Sequence, residues 1–331
     1  MAQATKSKAA RGGIDLGGTK IQAVVVDGRN RVLGESRIAT PTAGGPKDVA
    51  DAMAEALLAS AASAGIEAAK LRGVGVGSPG SANEKTGVVS SARNLPGWEG
   101  SYPLADRLSE ALGAPVKVGN DVQVATDAEA RLGAGREYDS LLGVFWGTGV
   151  GGGIVLNGKP WLGRGSAGEI GHVVVKRGGR RCPCGRKGCM EAYAGRAAME
   201  ARARKLVDKG EETSLFEIME RKGHDRLKSS VWEHALREGD TMAEGLLGDA
   251  VKAIGTGVAS ALNVLDVDAV ILGGGLGLRF GEDVLKRIEN RAMKNLFTSD
   301  DPPAFRMAAL GDLGGAIGAS LLVKSSPSKQ G

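Results

Sequence analysis

Four residues that can bind a soft metal ion fall close together. Cys182, Cys184 and Cys189 are the only cysteines among the 331 residues and span eight positions; His172, one of three histidines, lies ten positions before Cys182. Three thiolates and an imidazole make up the Cys3His set of a closed tetrahedral Zn²⁺ site. The Cys-x-Cys spacing, with Gly185 and Gly188, lets a short loop wrap one ion. Two acids, Glu169 and Glu191, bracket this run. A closed four-ligand site has no room for either. The metal therefore reads as a structural staple, holding both carboxylates and the free edge of His172 for another purpose.

Two glycine turns have the composition of phosphate sites, where backbone N–H groups must approach and converge on oxyanions. The first is Asp15-Leu16-Gly17-Gly18-Thr19-Lys20, whose leading carboxylate can hold Mg²⁺ through water. The second is Gly147-Thr148-Gly149-Val150-Gly151-Gly152-Gly153. A third glycine run, Gly273-Gly274-Gly275, enters a helix late in the chain. Asn120-Asp121 is the candidate catalytic pair. Asn120 is placed to cap the helix that follows. Asp121 heads a row with Ala125, Ala128 and Leu132, which sets a carboxylate at the edge of the core. A helix N-terminus lowers such a pKa, whereas a general base benefits from a raised one. Phosphoryl transfer relaxes that demand, because its base mainly orients the hydroxyl and takes the proton late. Asn94, before Leu95-Pro96-Gly97-Trp98, offers an amide that can both donate to and accept from a hydroxyl.

The elements that must position these groups follow from periodicity. Apolar runs on both sides of each phosphate turn predict strand–glycine–strand units at Ile14–Val26 and Leu141–Asn157, and Asp27–Asn30 predicts a hairpin turn into Val32–Ala39. Helices are expected at Pro46–Ser63, Ser101–Leu112, Val122–Leu132, Asp240–Asn263 and Leu313–Val323, with a charged surface helix from Gly195 to about Lys222. Short strands are expected at Val74–Val76, Val116–Val118 and Ala269–Leu272, each running into a functional turn or a glycine turn. Two similar phosphate-turn hairpins in one chain imply a duplicated architecture.

The bulk properties fit that outline. The apolar fraction is 42%, aromatics are scarce at 4%, and 53 glycines suit tight turns in an α/β fold. Forty-three Lys+Arg against 38 Asp+Glu give a formal +5, too small and scattered to argue for nucleic acid and compatible with an anionic substrate. Clustered cysteines point to a reducing compartment. Residues 1–11 read as a flexible basic tail without the apolar region of a signal peptide, and no apolar run approaches membrane-spanning length, so a cytoplasmic protein with no membrane partner is expected.

The run Gly-Glu169-x-Gly-His172, the cysteines and the closing Glu191 resemble the zinc-and-sugar signature of the ROK family (repressors, open reading frames and sugar kinases). The order of motifs is similar to that family from Gly12 to about Val323. The resemblance implies an α/β, two-lobed actin/hexokinase-like ATPase fold of duplicated ribonuclease H-like domains. The implied division is a small domain at 12–119 plus 313–331 and a large domain at 120–312 carrying the zinc loop 169–191. It implies that Asn94, Asn120, Asp121, Glu169, His172 and Glu191 contact sugar, and that Asp121 is the base. ATP with Mg²⁺ is expected on Asp15, Gly17, Gly18, Thr19, Lys20, Gly147, Thr148, Gly149 and the adenosine loop Gly273, Gly274, Gly275. The implied activity is phosphorylation of a hexose 6-hydroxyl, with glucose the first expectation and N-acetylglucosamine, N-acetylmannosamine, mannose and fructose open. Polyphosphate as donor, and a non-catalytic sugar sensor, are the alternatives. A homodimer, or a dimer of dimers, is expected by the same analogy. One departure is that Asn120-Asp121 continues as Val-Gln-Val-Ala-Thr rather than the family's usual Ala-Asn-Ala-Ala.

Overall fold

The computed structural model describes residues 10–92, 95–297 and 300–324. It divides into two compact units. The first holds the chain up to Gly133, Leu162–Ala167, and everything from Ala309 onward; the second holds Ala134–Trp161 and Gly168–Ala308.

In the first unit the chain runs β1 (Arg11–Leu16), β2 (Lys20–Val26), β3 (Val32–Ala39), α1 (Pro46–Ser63), β4 (Val74–Ser78), β5 (Ser81–Asn83), β6 (Val88–Ser90), β7 (Ser101–Tyr102), α2 (Leu104–Leu112), β8 (Val116–Asn120) and α3 (Asp121–Leu132). The main sheet has the order β3-β2-β1-β4-β8. Its first three strands are an antiparallel meander, and β4 and β8 add in parallel to β1. Parallel addition needs a crossover, which α1 and α2 supply. Pro46 at the first helical position and an Asp48 carboxylate accepting from Gly45 N–H start α1 where the sequence predicts. Its buried face is the expected one, Val49, Met53, Ala56, Leu57 and Ser60. The first four pack with Ile14, Ile21, Val76, Leu104 and Leu108 in a continuous apolar core, and Ser60 Oγ donates to the Gly34 carbonyl at 3.0 Å. The small antiparallel sheet β5-β6-β7 is not anticipated by the sequence reading; its strands of two and three residues carry too little periodicity to register.

The second unit runs β9 (Leu141–Trp146), β10 (Val150–Leu156), β11 (Lys159–Pro160), α4 (Glu191–Ala194), α5 (Arg196–Val207), α6 (Leu215–Arg221), α7 (Ser229–Arg237), α8 (Thr241–Leu265), β12 (Ala269–Gly273), α9 (Gly274–Met293) and β13 (Ala304–Met307). Its sheet order, β11-β10-β9-β12-β13, repeats that of the first unit, with the same antiparallel meander followed by two parallel strands. This is the duplicated α/β fold of the actin/hexokinase-like ATPases. The charged stretch expected as one surface helix is two, α5 and α6. Neither is wholly solvated, since Met199 and Ala203 of α5 and Leu215, Ile218 and Met219 of α6 are buried. Among the described residues no helix is long and apolar enough to cross a membrane.

The chain then returns to the first unit as α10 (Gly314–Ser320), which packs on β1, β4 and α3. α3 also belongs to the first unit, whereas the sequence reading begins the large domain at residue 120. The buried side of α3 is wider than the predicted row, because Gln123, Thr126, Asp127 and Glu129 are enclosed as well. Glu129 is enclosed with partners: its two carboxylate oxygens accept from the N–H groups of Ala309 (3.0 Å) and Leu310 (2.9 Å), which ties the returning chain to α3.

Candidate active site and metal centre

In the first unit the chemistry-bearing residues line up at the carboxyl ends of parallel strands, the edge where open α/β sheets bind ligands. Asp15 of β1 stands opposite Gly77 of β4, and Gly77 opposite Gly119 of β8. At about 4.8 Å per strand this sets Asp15 and the start of Asn120-Asp121 roughly 10 Å apart. Asn120 caps α3 as predicted: its Oδ1 accepts from Val122 N–H (3.1 Å) and Gln123 N–H (3.0 Å), while its Nδ2 donates to the Gly80 carbonyl (3.5 Å). Asp121 Oδ1 accepts from Val122 N–H at 2.9 Å, so its carboxylate is oriented by the first turn of the helix. A Cβ at Gly77 would lie 3.3 Å from the Cα of Asp121, so a larger residue there would press on the candidate base.

The first glycine turn is closed by Gly17 N–H donating to the Lys20 carbonyl (2.9 Å) and by Thr40 Oγ1 donating to the Gly17 carbonyl (2.6 Å). Lys20 pairs with Asp312 (3.2 Å) and donates to Gln22 (2.9 Å). Asp15 lies against the start of α10, where a Cβ on Gly315 would come within 2.7 Å of its carboxyl carbon. Burial pushes its pKa up to about 6; Lys20 opposes the rise and the negative charge of Asp312 adds to it. A carboxyl kept from easy ionisation by its surroundings suits a cation, which would supply the missing countercharge. Thr40 and Asp312 are absent from the sequence-based site, since single residues far along the chain carry no spacing signal.

In the second unit the metal set assembles as expected. One ligand atom from each of His172, Cys182, Cys184 and Cys189 lies within 4.8 Å of the others. Bond lengths of about 2.0 Å to nitrogen and 2.3 Å to sulfur put tetrahedral zinc ligands roughly 3.7 Å apart. The separations are 3.7 Å between the sulfurs of Cys184 and Cys189, and 3.8 Å from Cys182 Sγ to His172 Nδ1. The donor set thus fits zinc in type, number and spacing. The loop is shaped by left-handed backbone at Gly185 (φ 92°) and Gly188 (φ 86°) and by bridges Val174–Cys189 and Arg181–Lys187. Burial pushes the Cys182 thiol up to about 12 and also raises Cys189. Burial works against ionisation at Cys184 too, but hydrogen bonds from the backbone and side chain of Arg186 and from the other two thiols overcome it and bring Cys184 down to about 6. Binding a dication would therefore begin on one ready thiolate and drive protons off the other two.

Around this centre Glu191 and the segment that carries Glu169 meet the start of β10. A Cβ on Gly171 would overlap the Val150 carbonyl, so only glycine lets the Glu169–His172 segment lie against the strand. The outer ring nitrogen of His172, Nε2, is 4.0 Å from Glu169 Oε2. Glu191, the first residue of α4, accepts from Val150 N–H at 2.9 Å through Oε2 and reaches Cys182 Sγ at 4.0 Å through Oε1. That carboxylate rests on the second glycine turn, where a Cβ on Gly149 would collide with it. The turn itself is pinned by the start of α5. Arg196 N–H and Ala197 N–H donate to the carbonyls of Gly147 and Thr148, both at 3.1 Å, and Arg196 Nη2 donates to Thr148 Oγ1 at 2.9 Å. Arg196, which holds this turn, lies in the stretch that the sequence predicts as a charged surface helix.

The third glycine run meets the second. Gly274 adopts φ 81° with its Cα against the Trp146 backbone, and a Cβ on Gly147 would lie 4.0 Å from Gly275 N. Gly273 is the N-cap of α9, so that helix points its N-terminal N–H groups, a natural anion site, from beside the turn. Asn94, the remaining sugar candidate, lies outside the described residues; its neighbour Trp98 is fully buried.

The family comparison covers almost all of this. The ROK family model matches residues 11–326. A glucokinase of Thermotoga maritima is 32% identical over 288 residues, covering 87% of this chain and 88% of that protein. An N-acetyl-D-glucosamine kinase of Escherichia fergusonii is 30% identical over 325 residues, covering 94% and 98%. The crystal structure of a ROK family glucokinase from Streptomyces griseus in complex with glucose and AMPPNP superposes with a TM-score of 0.81 at 32% identity, covering 95% of this chain and 98% of that one. With the fold, the metal-ligand set and a match along nearly its whole length in agreement, the chain belongs to the ROK family.

Proposed function

We propose that the protein is an ATP-dependent hexose kinase that phosphorylates the 6-hydroxyl of glucose. In this reading Asn94, Asn120, Glu169, His172 and Glu191 hold the sugar. Asp121 accepts the proton of the attacking hydroxyl. Asp15, Gly17, Gly18, Thr19 and Lys20, with Gly147, Thr148 and Gly149, take the phosphates, and Gly273, Gly274 and Gly275 take the nucleoside side. Mg²⁺ held near Asp15 would neutralise developing phosphate charge. His172, Cys182, Cys184 and Cys189 would hold zinc as a structural ion. Such a reaction draws most of its rate from positioning and charge neutralisation.

The observation that carries the reading is the hydrogen bond from Val150 N–H to Glu191. It joins a carboxylate of the sugar signature directly to the glycine turn assigned to phosphate, and phosphoryl transfer requires acceptor and donor held that close. The relatives named glucokinase favour glucose, and the N-acetyl-D-glucosamine kinase makes that sugar the second to test.

The test is ADP release with a panel of hexoses and ATP, with the product identified as the 6-phosphate. Glucose is expected to give the highest kcat/KM. Asp121→Ala is expected to lose about 10²–10⁴-fold in kcat, the range supplied by a positioned base, with sugar affinity changed far less. Saturable sugar binding without turnover of any hexose would mean a sensor, and an active Asp121→Ala enzyme would remove the assignment of the base.

A further inference from the structure

A second cluster of positive charge lies in the second unit away from the glycine turns. A cavity of about 600 Å³ opens between the Val175–Arg180 strip, Tyr193 and the facing sides of α8 and α9. Lys176, Arg180, Lys252 and Arg291 line it, against a single carboxylate, Asp249. That carboxylate is already engaged, accepting from Arg180 Nη2 at 2.6 Å. Lys176, Lys252 and Arg291 have no ion-pair partner among the described residues. A shallower hollow continues the surface past Lys252 and Arg291 to Lys294.

Arg180 is built in rather than left on the surface. Its guanidinium stacks over the Tyr193 ring at 4.6 Å, and its backbone N–H donates to Tyr193 Oη at 2.9 Å. With Nη2 spent on Asp249, its Nη1 is buried and has no hydrogen-bond partner among the described residues. A buried charge with a donor left unmade is costly, and an anion in the cavity beside the guanidinium would offset that charge. Glycine shapes the opposite wall: Gly255 of α8 lets the Arg291 stem lie flat, since a Cβ there would come within 2.7 Å of it. Four cations around one paired carboxylate repel one another, and an anion removes that repulsion. The volume exceeds that of a lone ion and falls within the range of small-molecule sites.

We propose that this cavity binds a phosphate-bearing small molecule, an oligophosphate or a phosphate ester, distinct from the donor bound by the glycine turns. The site shares its backbone with the metal loop. Lys176 N–H donates to the Gly188 carbonyl (3.2 Å), Gly188 N–H donates to the Arg180 carbonyl (2.8 Å), and Tyr193 follows Glu191 by two positions in α4. An anion that draws Lys176 and Arg180 toward α8 and α9 therefore acts on the loop that holds His172 and Glu191. On the kinase reading above, occupancy changes sugar affinity, and by reciprocity sugar changes anion affinity by the same factor.

The test is calorimetric titration of the full chain with orthophosphate, pyrophosphate, tripolyphosphate and glucose 6-phosphate, each with AMPPNP in excess. Saturable binding is expected in at least one arm. Tightening from ortho- to tripolyphosphate identifies an oligophosphate, and tighter binding of glucose 6-phosphate identifies an ester. The double variant K252E/R291E, altered only at exposed side chains, is expected to bind at least tenfold more weakly with its thermal midpoint unchanged. Unchanged affinity in the double variant, or no saturable binding in any arm, overturns the proposal. Comparing the variant with the wild type requires no turnover, so failure of the kinase reading and failure of this site give different results.

Discussion

His172 divides its ring between two duties. Nδ1 faces Cys182 Sγ at 3.8 Å, and Nε2 faces Glu169 at 4.0 Å. A metal bond on Nδ1 fixes the tautomer and leaves Nε2–H as a donor beside a carboxylate acceptor, a pair suited to a hydroxyl. Cys184→Ser is expected to abolish zinc retention, measured by metal analysis, and to raise the sugar KM about 10–100-fold, as loss of a positioned support does, with nucleotide affinity within a factor of about two. Full sugar affinity in zinc-free protein would restrict the ion to stability alone. Asp15 gives a second prediction at this scale. Burial raises its folded pKa to about 6, above the ordinary carboxyl value, so ionising it costs stability. The cost is absent below about pH 4, where the group is protonated folded and unfolded alike, grows up to pH 6 and is complete above that. Asp15→Asn without added Mg²⁺ is therefore expected to be stabilising at pH 7.5, by on the order of 2 kcal/mol, and neutral at pH 4; chemical denaturation at both pH values measures this. The metal-ligand set was legible in sequence because residue type and spacing restrict it, and the Asn120 cap because a capping residue precedes a helical row. Arg196, Thr40 and Asp312 were not, because each meets a glycine turn or a residue of one from far along the chain, where no sequence spacing marks the contact.

Among the elements, α8 shows how a start signal reaches beyond its own helix. Asp240 caps it by accepting from Ala243 N–H (2.7 Å), and the same carboxylate accepts from Ser214 N–H (2.6 Å), Ser214 Oγ (2.9 Å) and Thr213 Oγ1 (2.8 Å) at the start of α6. Burial works against its ionisation, but these donors outweigh it and hold its pKa below the usual carboxylate value. A depressed folded pKa contributes stability that is present above the unfolded value near 4 and is lost as pH falls below it. Asp240→Ala is expected to cost about 2 kcal/mol at pH 7, and the gap from wild type should narrow as the pH drops below 4. Thermal unfolding followed at pH 7 and pH 3.5 reads both parts; an equal gap at the two values would mean that the carboxylate's charge is not what is lost. The helix was legible from its apolar periodic run, though the sequence counts Asp240 as its first residue where the structure makes it the cap. The second role of Asp240 was not, because α6 begins 25 positions earlier and no sequence spacing links its start to Asp240. Shortness hid β5, β6 and β7, while Pro46–Ser63, with proline, an early acid and five buried-face residues in register, was read to the residue.

For the chain as a whole, the repeated sheet order explains why two weak glycine motifs carried so much information. A hairpin between apolar strands means little alone, but a fold made twice must show it twice, at the start of each sheet. What the repeat did not reveal is how the first unit is completed. The chain leaves it at Gly133, re-enters it briefly at Leu162–Ala167 and returns for good at Ala309, and α10 then seats directly on the sheet backbone. Glycine makes that approach possible: a Cβ on Gly13 would overlap the Ala316 carbonyl oxygen, and one on Gly75 the Ala319 carbonyl oxygen. Neither glycine has positive φ, so their requirement is space rather than backbone freedom. Gly75→Ala must therefore push α10 off β4 or bend the strand. Overpacking of this kind costs typically 1–3 kcal/mol, with partial relaxation. The expected lowering of the thermal midpoint is about 2–4 °C for each kcal/mol, as for domains of this size. Gly100→Ala, at an exposed position without positive φ where a Cβ meets nothing within 4 Å, is the control and should leave the midpoint nearly unchanged. Because α10 also lies against Asp15 and the returning chain against Glu129, Gly75→Ala should raise the nucleotide KM along with the loss of stability. A variant that lost stability with nucleotide KM untouched would show that α10 closes the core without setting the phosphate turn.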